Sequence, residues 1–143
     1  MNMSGEKIWK NGEFIDAEGS GTSLLTQTLH YGFGLFEGIR CYKLSNGGSA
    51  IFRLRDHIKR MINGTKILSM DMPFTENQLF DAHVKIVQIN GFEECYIRPI
   101  VYAGVGSSFG LAADNPTEVA IIARKWGTYL GEGALDLGIR AKV

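Results

Sequence analysis

The chain has 143 residues, with 15 basic and 15 acidic side chains, 45% hydrophobic residues and 21% charged residues. Its formal net charge of zero gives no overall field to attract nucleic acid or an anionic membrane surface, and no apolar run approaches the roughly 20 residues that span a bilayer. The first residues turn polar before an apolar stretch forms, unlike a secretory signal. We therefore expect a cytoplasmic protein whose partners are neither nucleic acids nor membranes.

The sequence contains two cysteines, Cys41 and Cys95, and three histidines. Both cysteines fall in predicted strands, and free buried thiols are the expectation for a protein of a reducing compartment. The histidines are too scattered to give the spacing of metal ligands. We expect neither a disulfide nor a metal site.

The first half of the chain predicts two β-hairpins. An Asn-Gly pair favours the positive φ angles of a tight turn, so residues 7–16 predict the first hairpin. The segment 23–34 is hard to assign and is interpreted as a bent connection. A strand is predicted over 36–42, followed by a glycine-rich turn at 44–48 and a partner strand over 49–53.

The strand over 36–42 carries an unusual mixture on both faces. Successive side chains of a strand alternate between faces, which gives one set of Phe36, Gly38, Arg40 and Tyr42 and another of Glu37, Ile39 and Cys41. An aromatic ring, a gap and an arginine on one face suggest a pocket wall with an anion contact. A core strand with one arginine reaching solvent remains an equal alternative.

Two consecutive helices are predicted next. The first, over 55–69, repeats apolar residues at intervals of three and four, and its Gly64 costs about 1 kcal/mol against alanine, so another element is expected to approach closely there. The second, over 76–89, follows a capping box formed by Thr75 and Gln78. Its expected buried residues are Leu79, Ala82, Ile86 and Val87.

Further strands are predicted over 94–103 and 117–125. Because Pro99 cannot donate to a ladder, the first of these strands is expected to lie at a sheet edge or to carry a bulge. The glycine-rich loop 104–116 lacks the lysine and hydroxyl of a phosphate-binding P-loop and is rejected as a nucleotide site. Two hairpins, two adjacent helices and further strands indicate an α+β fold, an antiparallel sheet with two helices packed on it.

Four positions are candidates for chemistry from the residues alone. Tyr96 and Arg98 share a strand face about 6.6 Å apart and could each bind a carboxylate, although a packed tyrosine beside a salt-bridged arginine is the alternative. Arg60 could bind a phosphate, but exposed helical arginines are usually solvated. Tyr129, between glycines, suits a pocket lid or a hinge.

Four motifs taken together are more specific than any single one. They are LHYGFGLFEGIRCY at 29–42, IFRLRDHIKR at 51–60, CYIRP at 95–99 and WGTYLGEGAL at 126–135. In this order and spacing they closely resemble the branched-chain amino acid aminotransferases, pyridoxal 5'-phosphate enzymes of the class IV aminotransferase family. The resemblance covers about residues 8–143 and matches the first of that family's two domains.

The resemblance implies a cofactor contact and an apolar pocket. Arg60 would contact the cofactor phosphate. Tyr31, Phe36 and Tyr129 would wall the pocket for a leucine, isoleucine or valine side chain, and Gly38 would leave room where a side chain would intrude. These roles follow from the family's motifs at the matching positions.

The resemblance also implies two carboxylate contacts and a reaction. Tyr96 would help to hold the substrate α-carboxylate, and Arg98, together with Tyr31, would receive the distal carboxylate of glutamate. The parent enzyme would transfer an amino group between a branched-chain amino acid and 2-oxoglutarate, as a homodimer or higher homo-oligomer.

The resemblance divides the chain into a small domain over 1–125, a connector over 126–135 and the start of the large cofactor-binding domain over 136–143. In the family, the lysine that forms the Schiff base lies just beyond the end of this chain, and Lys142 falls well ahead of that position. We therefore expect a truncated piece that holds no catalytic residue, is inactive alone and does not retain the cofactor.

Other interpretations remain open at this point. A D-amino acid aminotransferase and an aminodeoxychorismate lyase share the same fold. A non-catalytic binding or dimerisation module is an alternative of a different class.

Overall fold

The computed structural model describes residues 6–106, 115–125, 138 and 142. Within them lie seven strands: β1 Lys7–Lys10, β2 Glu13–Asp16, β3 Gly34–Phe36, β4 Ile39–Lys43, β5 Ser49–Ile51, β6 Cys95–Ala103 and β7 Thr117–Arg124. The same residues contain three helices: α1 Gln27–Tyr31, α2 Leu54–Ile67 and α3 Glu76–Ile89. The predicted connector over 126–135 lies outside the described residues.

The strands form one antiparallel sheet in the order β2-β1-β7-β6-β4-β5, with β3 pairing β6 beside β4. The apolar side chains of one sheet face pack against α2 and α3, which confirms the predicted α+β fold. The core of this layer includes Ile39, Ile97, Val119 and Ile121 from the sheet and Ile58, Met61, Leu79 and Ile86 from the helices. No helix among the described residues is long and apolar enough to cross a membrane.

The sheet face opposite the core is called the second face here. Strand alternation assigns to it Phe36, Gly38, Arg40 and Tyr42 from the β3–β4 segment and Tyr96, Arg98, Ile100 and Tyr102 from β6. The neighbours Glu37, Ile39 and Cys41 are buried on the core side. The alternation predicted from the sequence is therefore confirmed.

Local sequence signals for turns and helices are confirmed. Asn11 and Gly12 have φ angles of 50° and 101° at the turn between β1 and β2. The predicted bounds of α3 are confirmed, with the Thr75–Gln78 capping box at its start. Helix α2 begins one residue earlier and ends two residues earlier than predicted.

Gly64 brings α2 close to the sheet, as its position in the helix predicted. A Cβ atom at Gly64 would lie 3.1 Å from Cδ2 of Leu35 on β3. A larger residue would therefore push the helix away from β3. This contact sets the height of α2 above the segment that carries Phe36 and Glu37.

The expectation that Pro99 marks a sheet edge or a bulge is wrong. Strand β6 lies inside the sheet, and its register with β7 runs from Tyr96–Arg124 to Ala103–Thr117 without an inserted residue. The oxygen of Pro99 accepts from the nitrogen of Glu37 at 3.0 Å, so the donor that proline lacks faces the same neighbour. Because Pro99 cannot donate this backbone hydrogen bond, the predicted strand over 36–42 is divided into β3 and β4. Both strands keep the same register with β6.

Candidate functional site

The structure brings four predicted site residues together on the second face. Phe36 ends β3, Gly38 lies in the break before β4, and Tyr96 and Arg98 project from β6, which pairs with both. The Arg98 guanidinium lies 4.3 Å from the centroid of the Phe36 ring, and its Nη2 donates to the Tyr96 hydroxyl at 2.7 Å. An aromatic surface, a cation and a phenol therefore meet at one point.

Gly38 makes this arrangement possible by leaving space for the phenol. A Cβ atom at Gly38 would overlap the Tyr96 hydroxyl oxygen and lie 3.2 Å from its Cζ. The room that the resemblance assigns to glycine is thus occupied by the end of the Tyr96 side chain. Gly38 acts on the site by setting where Tyr96 and, through it, Arg98 can lie.

We expect Gly38→Ala to lower the free energy of unfolding by about 1–3 kcal/mol, because the added methyl group forces Tyr96 to move. Removing the hydroxyl with Tyr96→Phe should relieve most of that overlap. In urea unfolding of the 143-residue chain, Gly38→Ala should therefore lower the free energy of unfolding clearly less in a Tyr96→Phe background than in the wild-type background. An equal cost in both backgrounds would contradict this account of the contact.

The other two predicted wall residues are Tyr31 and Tyr129. Tyr31 is on α1, where about half of its side chain is exposed and its ring centroid is 6.3 Å from that of His30. Tyr129 lies outside the described residues. The described part of the pocket is therefore the wall formed by Phe36, Tyr96 and Arg98.

Arg60 belongs to a different cluster, on the core side of the sheet. Its Nε donates to Oε1 of Glu37 at 2.6 Å, and its Nη2 donates to Oε2 of the same carboxylate. A ring nitrogen of His57 lies 3.0 Å from that Oε2. The two clusters are joined through the chain itself, because Phe36 and Gly38 point to one face and Glu37, between them, points to the other.

Burial and charge act in opposite directions on Glu37. Only 5% of its side chain is exposed, and this burial alone would raise the pKa of the carboxyl group. The hydrogen bonds from Arg60 and His57 outweigh burial and hold the pKa of Glu37 below its usual value. The carboxylate is therefore ionised near neutral pH, and it raises the pKa of the Arg60 guanidinium in turn.

The surroundings of Arg60 fit a phosphate group. The guanidinium uses Nε and Nη2 for Glu37, and within the described residues its Nη1 has no hydrogen-bond partner. Arg60 shares a surface pocket with Phe52, Arg53, Asp56 and His57, and 71% of its side chain is exposed. An exposed planar cation with donors left over is suited to a phosphate oxygen.

Sequence reasoning missed Glu37 and His57 as parts of this cluster. The signal for His57 was its position three residues before Arg60, because such residues are neighbours on a helix surface. The signal for Glu37 was a carboxylate on the core side of a strand, where an ionised group requires a partner. Neither signal names the partner, since the contact depends on how α2 lies over β3.

Similarity to known sequences shows which class of enzymes this α+β domain belongs to. The profile of the family described as amino-transferase class IV matches residues 34–136. The chain belongs to the class IV aminotransferase family.

Two relatives have closely related sequences. The branched-chain-amino-acid aminotransferase of Pseudomonas aeruginosa is 40% identical over 136 residues, which are 94% of this chain and 44% of that protein. The enzyme of the same name from Escherichia coli K12 is 38% identical over 137 residues, covering 95% of this chain and 44% of that protein. The chain thus spans less than half the length of these relatives.

Solved structures give the same result for the fold. The T.th. branched-chain amino acid aminotransferase with pyridoxamine 5'-phosphate has a TM-score of 0.83 at 43% identity, covering 93% of this chain and 44% of that chain. The Escherichia coli enzyme has a TM-score of 0.84 at 35% identity, covering 91% of this chain and 43% of that chain. The fold of the described residues is that of one part of these enzymes.

Proposed function

We propose that this chain is the amino-terminal domain of a branched-chain amino acid aminotransferase. The parent protein would move an amino group between leucine, isoleucine or valine and 2-oxoglutarate, with pyridoxal 5'-phosphate as cofactor. The observation that carries this proposal is the stacking of Arg98 on Phe36 beside Tyr96. One wall then offers both an apolar surface and a cation, which a pocket for two such different substrates requires.

The apolar part of the wall suits a branched side chain. Phe36 offers an exposed ring on the second face, and burying a whole aliphatic side chain contributes about 1.5–3 kcal/mol. The T.th. enzyme, whose structure has also been solved with 4-methylvaleric acid, binds a ligand with such a branched chain. In our proposal Tyr31 and Tyr129 complete this pocket.

The charged part of the wall suits the distal carboxylate of glutamate. A carboxylate entering an apolar pocket without a partner carries a large desolvation cost, and the Arg98 guanidinium offsets that cost. The same T.th. enzyme has been solved with N-(5'-phosphopyridoxyl)-L-glutamate. The Tyr96 hydroxyl accepts from Arg98, and we propose that Tyr96 also helps to hold the substrate α-carboxylate.

Arg60 is the residue of this chain that we propose for the cofactor. Its Nη1, which Glu37 does not use, would donate to the phosphate, and the cofactor, when bound, would supply the electron sink for amino transfer. The lysine that attaches the cofactor is proposed to lie beyond this chain, and Lys142, which is exposed, is not that residue. This chain would then orient substrate and cofactor without catalysing the reaction alone.

The proposed domain division follows the same resemblance. Residues 1–125 would form the small domain, 126–135 the connector and 136–143 the start of the large domain. The parent would assemble as a homodimer or a higher homo-oligomer. The chain alone is proposed not to retain the cofactor.

The test is a turnover assay of two proteins, the 143-residue chain and the full-length parent, with leucine, 2-oxoglutarate and cofactor. We expect glutamate formation by the parent only. Sustained glutamate formation by the chain would overturn its proposed inactivity. A parent that uses D-alanine in place of leucine would favour a D-amino acid aminotransferase instead.

A further inference from the structure

We propose that Glu37 is a positioning residue, which orients Arg60 for the phosphate of the cofactor, with His57 holding Glu37 in place. This inference rests on the proposed role of Arg60. It adds a buried carboxylate to a site whose ligand is itself an anion. The contact geometry and the sign of the charge together make the inference testable.

The first step is that Glu37 fixes the plane of the guanidinium. Both carboxylate oxygens accept from Arg60, one from Nε and one from Nη2. Two parallel hydrogen bonds to one edge of a planar group remove its freedom to rotate. With 71% of its side chain exposed, Arg60 has little other packing to hold it, so the carboxylate decides where Nη1 points.

The second step is that Glu37 is itself held rigidly. Its nitrogen donates to the Pro99 oxygen at 3.0 Å, and its side chain is 5% exposed. His57, one turn before Arg60 on α2, lies 3.0 Å from Oε2. The carboxylate therefore has one position available, defined by the sheet on one side and by α2 on the other.

The third step is a comparison of charge with orientation. A carboxylate beside an anion-binding arginine lowers the local positive potential, so on charge alone removal of Glu37 would strengthen phosphate binding. If Glu37 acts through orientation, its removal weakens phosphate binding. The two mechanisms thus predict changes of opposite sign.

The experiment measures the dissociation constant of pyridoxamine 5'-phosphate from the full-length apoprotein at fixed ionic strength. This ligand lacks the aldehyde, so covalent attachment to a lysine does not contribute. The proteins compared are the wild type, Glu37→Gln, Arg60→Ala and the double variant. The control is Glu93→Gln, which removes an exposed carboxylate paired with Lys43.

We expect Glu37→Gln to raise the dissociation constant about tenfold, as removal of a group that orients a ligand-binding side chain commonly does. The double variant should bind no more weakly than Arg60→Ala, because Glu37 acts only through Arg60. With pyridoxamine, which lacks the phosphate, Glu37→Gln should cause no change. Glu93→Gln should behave as the wild type with both ligands.

Three results would overturn the inference: tighter or unchanged binding by Glu37→Gln, additive losses in the double variant, or an equal loss with pyridoxamine. An unchanged Arg60→Ala would overturn the proposed role of Arg60 as well. If Glu37→Gln does not fold, Arg60→Lys takes its place, since the side chain at 60 is exposed. Lysine keeps the charge but not the two-point contact, so wild-type affinity in Arg60→Lys would also overturn the inference.

Discussion

Replacing Arg98 with leucine should lower the activity of the full-length protein on 2-oxoglutarate by at least about 30-fold. Truncating one partner of a desolvated charge pair costs about 2–5 kcal/mol, which corresponds to a factor of about 30 to 4,000. A branched-chain 2-oxo acid brings no distal carboxylate to this position. Its kcat/KM should therefore change much less, and the ratio of the two values measures the effect.

The Arg98 experiment needs a control for the loss of a stacked arginine. Arg55 on α2 lies 4.3 Å from the centroid of the Phe80 ring, which resembles the contact of Arg98 with Phe36. Arg55→Leu should leave the ratio of the two kcat/KM values at its wild-type level. Equal losses on both substrates in Arg98→Leu would show that Arg98 supports the fold of the wall rather than substrate choice.

Acid should destabilise this chain through His83. The side chain is fully buried in α3, with Nδ1 2.7 Å from the Leu79 oxygen, and within the described residues Nε2 has no partner. Burial lowers the pKa of His83 from 6.5 to about 4, although the Leu79 contact acts in the opposite direction. The imidazole is therefore neutral in the folded chain at pH 7.

The direction of the pH effect follows from proton uptake. Above pH 6.5 the imidazole is neutral in both the folded and the unfolded states. Between pH 6.5 and pH 4 the unfolded state binds a proton that the folded state does not bind, so the free energy of unfolding falls by about 3 kcal/mol. This loss is nearly complete once the pH reaches the folded pKa.

Urea unfolding of the 143-residue chain at pH 7 and at pH 4 measures this loss. Other groups also titrate over the range, so the informative quantity is the difference between proteins. Between pH 7 and pH 4, the free energy of unfolding should fall by about 3 kcal/mol less for His83→Gln than for the wild type. A His83→Gln variant with the same dependence would contradict the assignment.

Elements set by local chemistry were predictable from the sequence. The capping box at Thr75 fixes the start of α3, and the Asn-Gly pair fixes the first hairpin. The second-face positions of Phe36 and Arg98 follow from the two-residue period of a strand. These signals act within a few residues, so they hold before any tertiary contact is known.

Contacts between distant segments were not predictable in the same way. Arg98 meets Phe36 only because β6 pairs with β3 in one register, and that choice depends on the whole sheet. The pair of Glu37 and Arg60 depends further on the packing of Gly64 against Leu35. The resemblance to a family supplied roles for Arg60 and Arg98, but it assigned no role to Glu37.

The rule that places proline at sheet edges failed at Pro99 for a specific reason. Pro99 loses only one backbone hydrogen bond, the one it would donate to Glu37. The adjoining residues of β6 keep its register with β4 and with β7. The cost is a short break in the neighbouring strand. That break is where Gly38 gives space to the Tyr96 hydroxyl.

The unequal faces of the sheet also affect the heat capacity of unfolding. Phe36 is 60% exposed and Tyr42 is 45% exposed on the second face of the folded chain. Apolar surface already in contact with water adds nothing to the heat-capacity change, which is usually about 12–15 cal/mol/K per residue. The heat-capacity change of this chain alone should therefore be below that usual value. Its free energy of unfolding should vary less steeply with temperature than in a protein of the same length whose sheet is covered on both faces. A protein surface that covered the second face would steepen that variation.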